Sequence, residues 1–490
     1  MSGPVTTRVV VVGNGMAGAR VVDELCRRDD DVHITVFGAE SRPAYNRVLL
    51  SDVLAGKRGY DDIDLTSAPG RVVQRLGTSV ASIDRAARTV LADDGTTTPY
   101  DALVLATGST ALVPPVQGIA GPDGRLLEGV HVFRTLDDCE AISAAAGRAS
   151  RAVVVGGGLL GLEAARGLLR SGLQVDVVHG AGHLMETQLD PTGGAVLRRA
   201  VEALGVGVHL GSFASGVTGG RRVTGVRLAD GRQVAAELVV LACGIRPQVN
   251  LARAAGLQLG RAVLVDDLMR SDDPRVYAIG ECAQHRDQVY GLVAPAWEQA
   301  AVVADVLTGR TARYTGSRLV TRLKAMDLDV AAMGETAPEP ADTGDGLEVL
   351  SFADPARHVY KKLVVRDGVV TGAILLGDLS TVGPVTQAFD RASPLPADRL
   401  HLMFSGLGPA TAVDPALLED DALVCTCNQV TAGGIRSSGG RSVAEVAFAT
   451  RATTGCGSCR GLVEALLGPR SRSGVEQPDP DRTLEERRSA

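Results

Sequence analysis

An α/β chain with two parallel-sheet nucleotide-binding units, followed by two smaller domains, is the fold the sequence predicts. Three observations predict it. A β-branched run, a glycine-rich turn and a helical pattern follow one another between Arg8 and Arg28. The same succession recurs between Arg151 and Ser171. Four cysteines then cluster near the C-terminus, as Cys425-Thr-Cys427 and, 28 residues later, Cys456-Gly-Ser-Cys459.

Length and composition agree. A chain of 490 residues exceeds what one hydrophobic core serves, so about three or four domains are expected. The chain is 45% hydrophobic and 22% charged, as soluble proteins are. Lys+Arg of 50 against Asp+Glu of 57 gives a net charge of −7, which argues against nucleic-acid binding. No apolar run reaches about 18 residues, so no membrane span is expected, and Met1–Thr7 carries no apolar export segment. Cys26, Cys139, Cys243 and Cys282 are scattered singly, which suits a reducing cytoplasm.

The first unit begins with Arg8-Val-Val-Val-Val12, a run suited to a buried parallel strand. Gly13-Asn-Gly15-Met16-Ala-Gly18 follows, a G-x-G-x-x-G turn before the helical pattern Ala19–Arg28. Gly13 permits the tight turn, Gly15 the close approach of a pyrophosphate, and Gly18 the packing of helix on strand. The helix N-terminus then faces the phosphates. Glycine-rich turns also occur for packing alone, but the strand–turn–helix context favours a nucleotide. The next strand, His33–Phe37, ends at Gly38, where an acidic ribose ligand usually stands. Glu40 is the candidate for that role, a solvated loop carboxylate being the alternative.

In the second unit Arg151–Val155 is the strand, Gly156-Gly-Gly158-Leu159-Leu160-Gly161 the turn, and Leu162–Ser171 the helix. Two such sites in one chain suggest a flavin dinucleotide and a nicotinamide dinucleotide side by side. The strand Gln174–Val178 leads to His179, where an acidic residue would favour NADH. No arginine lies between Gly180 and Gln188 to hold a 2′-phosphate, and NADH is the reading preferred.

Residues 311–410 hold strand-like pieces at Arg318–Leu323, His358–Val365 and Val369–Leu376, with Asp367-Gly368 as a hairpin signal. Ser405–Asp421 reads as a linker and Pro469–Ala490 as a disordered tail. Between them, Ala422–Gly468 is too small to be stable without a staple. Helices are expected near Thr431–Ser437, Val443–Thr450 and Gly461–Leu467. Four soft thiolates in two close pairs can enclose an iron–sulfur cluster or a zinc. C-x-C is the less usual spacing for zinc, and a disulfide pair would need an oxidising compartment.

Further segments carry a resemblance: Val10–Met16, Ile34–Gly38, Arg42-Pro-Ala-Tyr-Asn-Arg47-Val-Leu-Leu-Ser51, His183–Asp190, Cys243-Gly244-Ile-Arg-Pro247 and Leu323-Lys-Ala-Met326. Over about residues 8–470 the chain resembles the two-dinucleotide flavoprotein reductases of the glutathione-reductase structural class. Within that class it is similar to the flavoprotein portion of bacterial NAD(P)H-dependent nitrite reductase large subunits. It is equally similar to electron-transfer subunits of assimilatory nitrate reductases. The resemblance implies an FAD-binding domain at 1–110 and 235–310 and an NAD(P)H-binding domain at 111–234. It implies a small α/β, rubredoxin-reductase-like domain at 311–410, which in relatives builds a homodimer interface. Last come a bacterioferritin-associated-ferredoxin-like [2Fe–2S] domain at 420–470 and a tail at 471–490.

Site residues follow by position. Tyr100 to Thr107-Gly108 resembles the crossover from flavin to nicotinamide domain, and Leu238 to Gly244 the return. Val276 to Gly280-Glu281 resembles the segment whose acid binds the flavin ribityl chain. Pro295–Gln299 resembles a helix start at the pyrimidine end of the flavin, with Trp297 bordering the nicotinamide pocket or lying in the core. Arg47 and Glu163 correspond to an ion pair beside the flavin N5 edge, where relatives often carry lysine in place of the arginine. Gly455 and Gly457 are implied donors to cluster sulfurs.

Disulfide reductases of this class need a redox cysteine pair, and related oxidases one thiol near positions 42–55. Ser41–Gly59 contains no cysteine, and Cys26 reads as a packing residue. The implied protein is a cytoplasmic NAD(P)H-oxidising flavoprotein that binds no nucleic acid and no membrane. It would pass single electrons through a cluster on Cys425, Cys427, Cys456 and Cys459 to a separate nitrate reductase catalytic subunit, or next to a nitrite reductase module. A ferredoxin or rubredoxin reductase and a non-enzymatic redox-sensing or iron-handling module are the rivals. Full nitrite reductase large subunits continue into a sirohaem and [4Fe–4S] module. This sequence stops at Ala490, so nitrite reduction by the chain alone is not expected.

Overall fold

The computed structural model describes residues 7–29, 31–65, 72–323, 328–342, 344, 346–395, 398–404, 418–425, 428, 430–453 and 459–468. The chain forms two compact units that divide after Leu407.

Two five-stranded parallel sheets organise the first unit. In the first, the order is Val276–Ala278, Ala102–Leu105, Arg8–Val12, His33–Gly38, Val72–Leu76. Val9–Val12 are all buried because helices or loops cover both faces, which is why the run is β-branched without alternation. Helices Met16–Arg28 and Val293–Leu307 pack together beside this sheet. In the second sheet the order is Gly207–Leu210, Gln174–His179, Arg151–Val155, Leu238–Leu241, Val130–Val132.

One boundary differs from expectation. The return to the flavin side was expected at 235, yet Leu238–Leu241 pairs with Arg151–Val155 and Val130–Val132. Its four apolar residues complete the second sheet's core, so the chain leaves that domain only after Leu241. The outward and return crossovers, Ser109–Ala111 and Ile245–Pro247, pair antiparallel with one another.

The third part of this unit is a five-stranded antiparallel sheet, in the order Val320–Leu323, Val330–Gly334, Val369–Leu376, Val359–Arg366, Leu347–Asp354. Asp367 and Gly368 join two of these strands at φ of 47° and 77°. Left-handed backbone at both positions is what a twisted two-residue hairpin requires. Lys361 and Lys362 are neighbours on Val359–Arg366, so they point to opposite faces, and both are fully buried. Lys361 Nζ donates to Met403 O at 2.7 Å and pairs with Asp378 at 2.6 Å. Lys362 Nζ reaches Asp190 Oδ2 at 2.5 Å and Thr336 O at 3.0 Å. Asp190 also accepts from the Tyr360 hydroxyl at 2.6 Å and caps helix Pro191–Ala203 through Gly193 N at 2.8 Å. One buried carboxylate thus fastens the antiparallel sheet to the helix that follows strand Gln174–His179 of the second parallel sheet.

In the second unit, strands Leu423–Cys425 and Val430–Thr431 pair, and helices Ala432–Ser437, Val443–Thr450 and Arg460–Leu467 follow. Thr431 and Ser442 cap the first two by accepting from Gly434 N and Glu445 N. The core is small, built on Val424, Ile435, Val446 and Val463. The expected linker from Ser405 (residues 405–417), the tail from 469, and positions 324–326 lie outside the described residues. Among the described residues no helix is long and apolar enough to cross a membrane.

The Asp190 network yields a stability prediction. Lys362→Met leaves a buried carboxylate uncompensated and should destabilise the protein by about 3–5 kcal/mol. Pairing it with Asp190→Asn should recover most of that loss, because asparagine still caps the helix. Thermal unfolding of the two variants beside the parent measures both effects.

Candidate functional site

The first glycine turn is shaped by backbone contact. Gly13 has φ +112°, and a Cβ there would stand 2.1 Å from Ala106 O. A Cβ at Gly18 would stand 1.9 Å from Gly13 O. Helix Met16–Arg28 is therefore drawn tightly against the strand ends. Its N-terminus has no side-chain cap and no acidic residue in its first turn, so its N–H groups are available to an anion. A Cβ at Gly15 would stand 3.8 Å from Arg47 Nε. Asn14 Nδ2 is buried in this turn without a partner. Gly38 explains the missing strand-end acid: a Cβ there would meet Asn14 Cβ at 2.9 Å.

A belt of charge runs from this turn to the far edge of the sheet. Glu40 pairs with Arg47 and accepts from the Tyr45 hydroxyl at 2.8 Å, so it is no free loop carboxylate. Burial, first of all, and the neighbouring Glu40 raise the Tyr45 hydroxyl, which stays protonated as donor. The Arg47 guanidinium lies over the Tyr45 ring and donates to Arg134 O at 3.3 Å. Arg134 in turn pairs with Glu281, which also accepts from Ser109 Oγ at 2.6 Å. Gly280, with φ +74°, donates its N–H to the buried Gln299 side chain at 2.7 Å. Trp297 is buried, its indole donating to Met16 O at 3.2 Å, and Arg20 stacks on its ring. That bond ties the start of helix Val293–Leu307 to the start of the first fingerprint helix. Thr107 Oγ1 donates to Gln248 O at 2.7 Å, joining the two crossovers again.

The second turn repeats the first. Gly156 has φ +122° and would place a Cβ 2.2 Å from Ala242 O, and Gly161 would place one 1.9 Å from Gly156 O. Gly158 has open space before it, and helix Leu159–Arg170, which includes Leu160, starts without a side-chain cap or an acid in its first turn. Gly244, with φ +106°, also faces open space.

The thiols divide by environment. Burial pushes Cys139 and Cys243 up to about 11, and it raises Cys282 as well. Such thiols are poor nucleophiles. Cys425 moves the other way, to about 6, through the Cys459 thiol beside it and backbone N–H groups of Thr453 and Asn428. Thr453 N also donates to Cys459 Sγ at 3.2 Å, and Asn428 Nδ2 approaches Cys425 Sγ at 3.6 Å. Cys427, Gly455, Cys456 and Gly457 lie outside the described residues. Among the described residues no three metal-binding side chains assemble.

Residues 7–300 match the pyridine nucleotide-disulphide oxidoreductase family. The chain belongs to this family. Residues 320–391 match the rubredoxin NAD+ reductase C-terminal domain, and residues 423–468 the BFD-like [2Fe-2S] binding domain. The chain is 37% identical to a nitrite reductase [NAD(P)H] of Bacillus subtilis, over 94% of this chain and 57% of that protein. It is 34% identical to an assimilatory nitrate reductase electron transfer subunit of the same organism, over 96% and 61%. It is 38% identical to a nitrite reductase [NAD(P)H] large subunit of Klebsiella oxytoca, over 94% and 48%. It thus spans half to three fifths of the length of these relatives. Among solved structures it resembles a ferredoxin reductase for the CYP199A2 system from Rhodopseudomonas palustris, with TM-score 0.71 and 27% identity over 79% of this chain and 96% of that one. The putidaredoxin reductase–putidaredoxin complex gives TM-score 0.69 at 25% identity, over 79% and 99%.

FAD, a nicotinamide dinucleotide and a [2Fe–2S] cluster are the cofactors of this combination of pyridine nucleotide-disulphide oxidoreductase core and BFD-like domain. The residues fit them: two uncapped helix N-termini behind glycine turns, a buried amide with no partner at Asn14, and the Cys425 thiol, lowered beside Cys459. The expected Arg47–Glu163 pair is not formed. Arg47 turns to Glu40, which stands seven residues before it on the same loop. Glu163 lies instead near Ser51, Asp52 and Lys57. Arg134 and Ser109 were missed by sequence reasoning, since no motif marks residues whose partners lie on other segments. Tyr45 and Gln299, inside the Arg42–Ser51 and Pro295–Gln299 stretches already singled out, were the ones with a signal.

Burial pushes Glu163 up to about 7 from an ordinary 4.5. An unfolded chain gives up this proton near the ordinary value, the folded chain only near 7. Its contribution to stability is complete below about pH 4.5 and is lost as pH rises through 7. Glu163→Gln removes the effect. The melting temperature of the variant should gain on that of the parent across this window and the gap should level off above it, as read by thermal unfolding at a series of pH values.

Proposed function

We propose that this protein oxidises NAD(P)H and passes single electrons through its BFD-like domain to a separate catalytic subunit of assimilatory nitrate reduction. The observation that carries the reading is the division of the thiols. The scattered cysteines Cys139, Cys243 and Cys282 are held protonated by burial, whereas Cys425 beside Cys459 is held ready to become a thiolate. A family core with no cysteine between Ser41 and Gly59 and with these three thiols held protonated, joined to a thiolate site, favours an outlet through a metal cluster. The similarity to an assimilatory nitrate reductase electron transfer subunit over 96% of this chain supports the choice of partner.

FAD supplies hydride acceptance and the cluster supplies one-electron transfer when bound. The chain's own residues position them. The Gly13–Gly18 turn, with Met16 at the helix start, would hold the flavin pyrophosphate, with Asn14 reaching it. Glu40 would take the adenosine ribose while Arg47 and Tyr45 fix its direction. Thr107 and Gly108 shape the crossover, and Gly280–Glu281 would meet the ribityl chain, with Arg134 orienting the carboxylate. The Gly156–Gly161 turn would hold the nicotinamide dinucleotide, and Gly244 leaves room beside it. Cys425, Cys427, Cys456 and Cys459 would ligate the cluster.

A second reading, delivery to a nitrite reductase module, rests on the 37% and 38% identity to nitrite reductases. Purified protein should carry FAD and about two irons per chain. In Cys459→Ser the iron should be lost and the FAD kept. NAD(P)H oxidation by ferricyanide should persist while transfer to a nitrate reductase catalytic subunit falls at least tenfold. Unchanged partner-dependent transfer without iron would refute the proposal, and transfer only to a nitrite-reducing module would favour the second reading.

A further inference from the structure

The strand that follows the second fingerprint ends at His179, about 20 residues past the glycines, where an acidic residue reads the adenosine ribose in dinucleotide folds. His179 carries no acid, yet the structure brings one to it. Gly157 N donates to His179 Nδ1 at 3.1 Å, which leaves the proton on Nε2, and Nε2 donates to Glu186 at 2.9 Å. A Cβ at Gly157 would collide with His179 at 2.8 Å and Leu184 at 2.7 Å, so the imidazole lies directly on the glycine turn.

The loop bearing Glu186 is fixed to the same glycine. Met185 is buried with φ 52°, a left-handed conformation unusual for methionine, and its N–H donates to Gly157 O at 3.0 Å. Both peptide groups of Gly157 are therefore used to hold the strand end and the Glu186 loop together. The Glu186 side chain remains 44% exposed, so its carboxylate has lone pairs to offer. No lysine or arginine lies between His179 and Leu197, nor between Gly211 and Gly216 on the adjoining strand connection.

An exposed ring lies on the residue after the same strand end. Phe213 is 69% exposed, and its ring covers Gly180, where a Cβ would lie 2.1 Å from it. Ser212 N donates to His179 O at 3.4 Å, so Phe213 is anchored one residue from the strand end. Burial does not account for a phenyl ring left open to solvent at this place. A flat, open aromatic face at the strand end that faces the adenosine in dinucleotide folds suits an adenine.

We propose that Glu186, held by His179, reads the 2′-hydroxyl of the nicotinamide nucleotide's adenosine and selects NADH over NADPH, and that Phe213 stacks on the adenine. The carboxylate accepts a hydrogen bond from the 2′-hydroxyl and repels a 2′-phosphate, for which the segments His179–Leu197 and Gly211–Gly216 supply no lysine or arginine. The inference rests on assigning the second fingerprint to the nicotinamide dinucleotide.

Equilibrium titration of the FAD-loaded protein with NAD+ and with NADP+, by calorimetry, tests it. The parent should bind NAD+ at least tenfold more tightly than NADP+. Glu186→Gln should weaken NAD+ about tenfold, the worth of a charge-assisted hydrogen bond, and leave NADP+ equal or tighter. Phe213→Ala should weaken both nucleotides by a similar factor, because both carry adenine, and keep their ratio. Both side chains are exposed, and unchanged FAD content confirms folding. A parent that binds NAD+ but shows the same ratio after Glu186→Gln overturns the selection by Glu186. Unaltered affinities in Phe213→Ala overturn the adenine contact. A parent that binds neither nucleotide overturns the fingerprint assignment and this inference with it, while leaving cluster-dependent transfer to be judged by the Cys459 variant.

Discussion

Two backbone contacts govern this molecule. Gly13 lies against Ala106 O and Gly156 against Ala242 O, each at a distance no side chain would allow. Each contact presses a fingerprint turn onto the end of a neighbouring parallel strand. The residues just beyond those strand ends, Thr107-Gly108 and Cys243-Gly244, are where the chain crosses between domains. Nucleotide turns and crossovers are thus the same places, and the crossovers pair with each other. A side chain at either glycine would push away a helix start and a crossover at once.

Charge is arranged around that frame by competition among partners. Arg47 has Glu40 on its own loop and Glu163 on another domain's helix, and the near carboxylate wins. Little chain entropy is spent to hold a loop pair, and the Tyr45 ring beneath the guanidinium adds to it. Glu163 is left largely buried, without the guanidinium that Arg47 would have supplied, and desolvation then favours its neutral form. Lys362 and Asp190 show the opposite outcome. Both are fully buried, so each is held only because the other, Tyr360 and a helix N-terminus complete the network.

The same reasoning separates the cysteines. A thiol surrounded by apolar packing resists ionisation, as Cys139 and Cys243 do. A thiol facing another thiol and backbone N–H groups accepts it, as Cys425 does. Sequence position hints at this division through spacing, but the cause is the local field.

The sequence by itself determined the parallel sheets, both glycine turns, the Asp367-Gly368 hairpin and the three short helices around the cysteine domain. These follow from local physics: period, β-branching, caps and positive φ act within a few residues. It also singled out Glu40 and Glu281, and the structure pairs them with Arg47 and Arg134. It did not place the end of the second sheet at Leu241, because pairing with Arg151–Val155 is decided across more than eighty residues of chain. Nor did it find Arg134, Lys362, the Gly280–Gln299 bond or the His179–Glu186 contact. Each of those depends on which distant polar group folding brings within hydrogen-bond reach, and only the tertiary structure decides that.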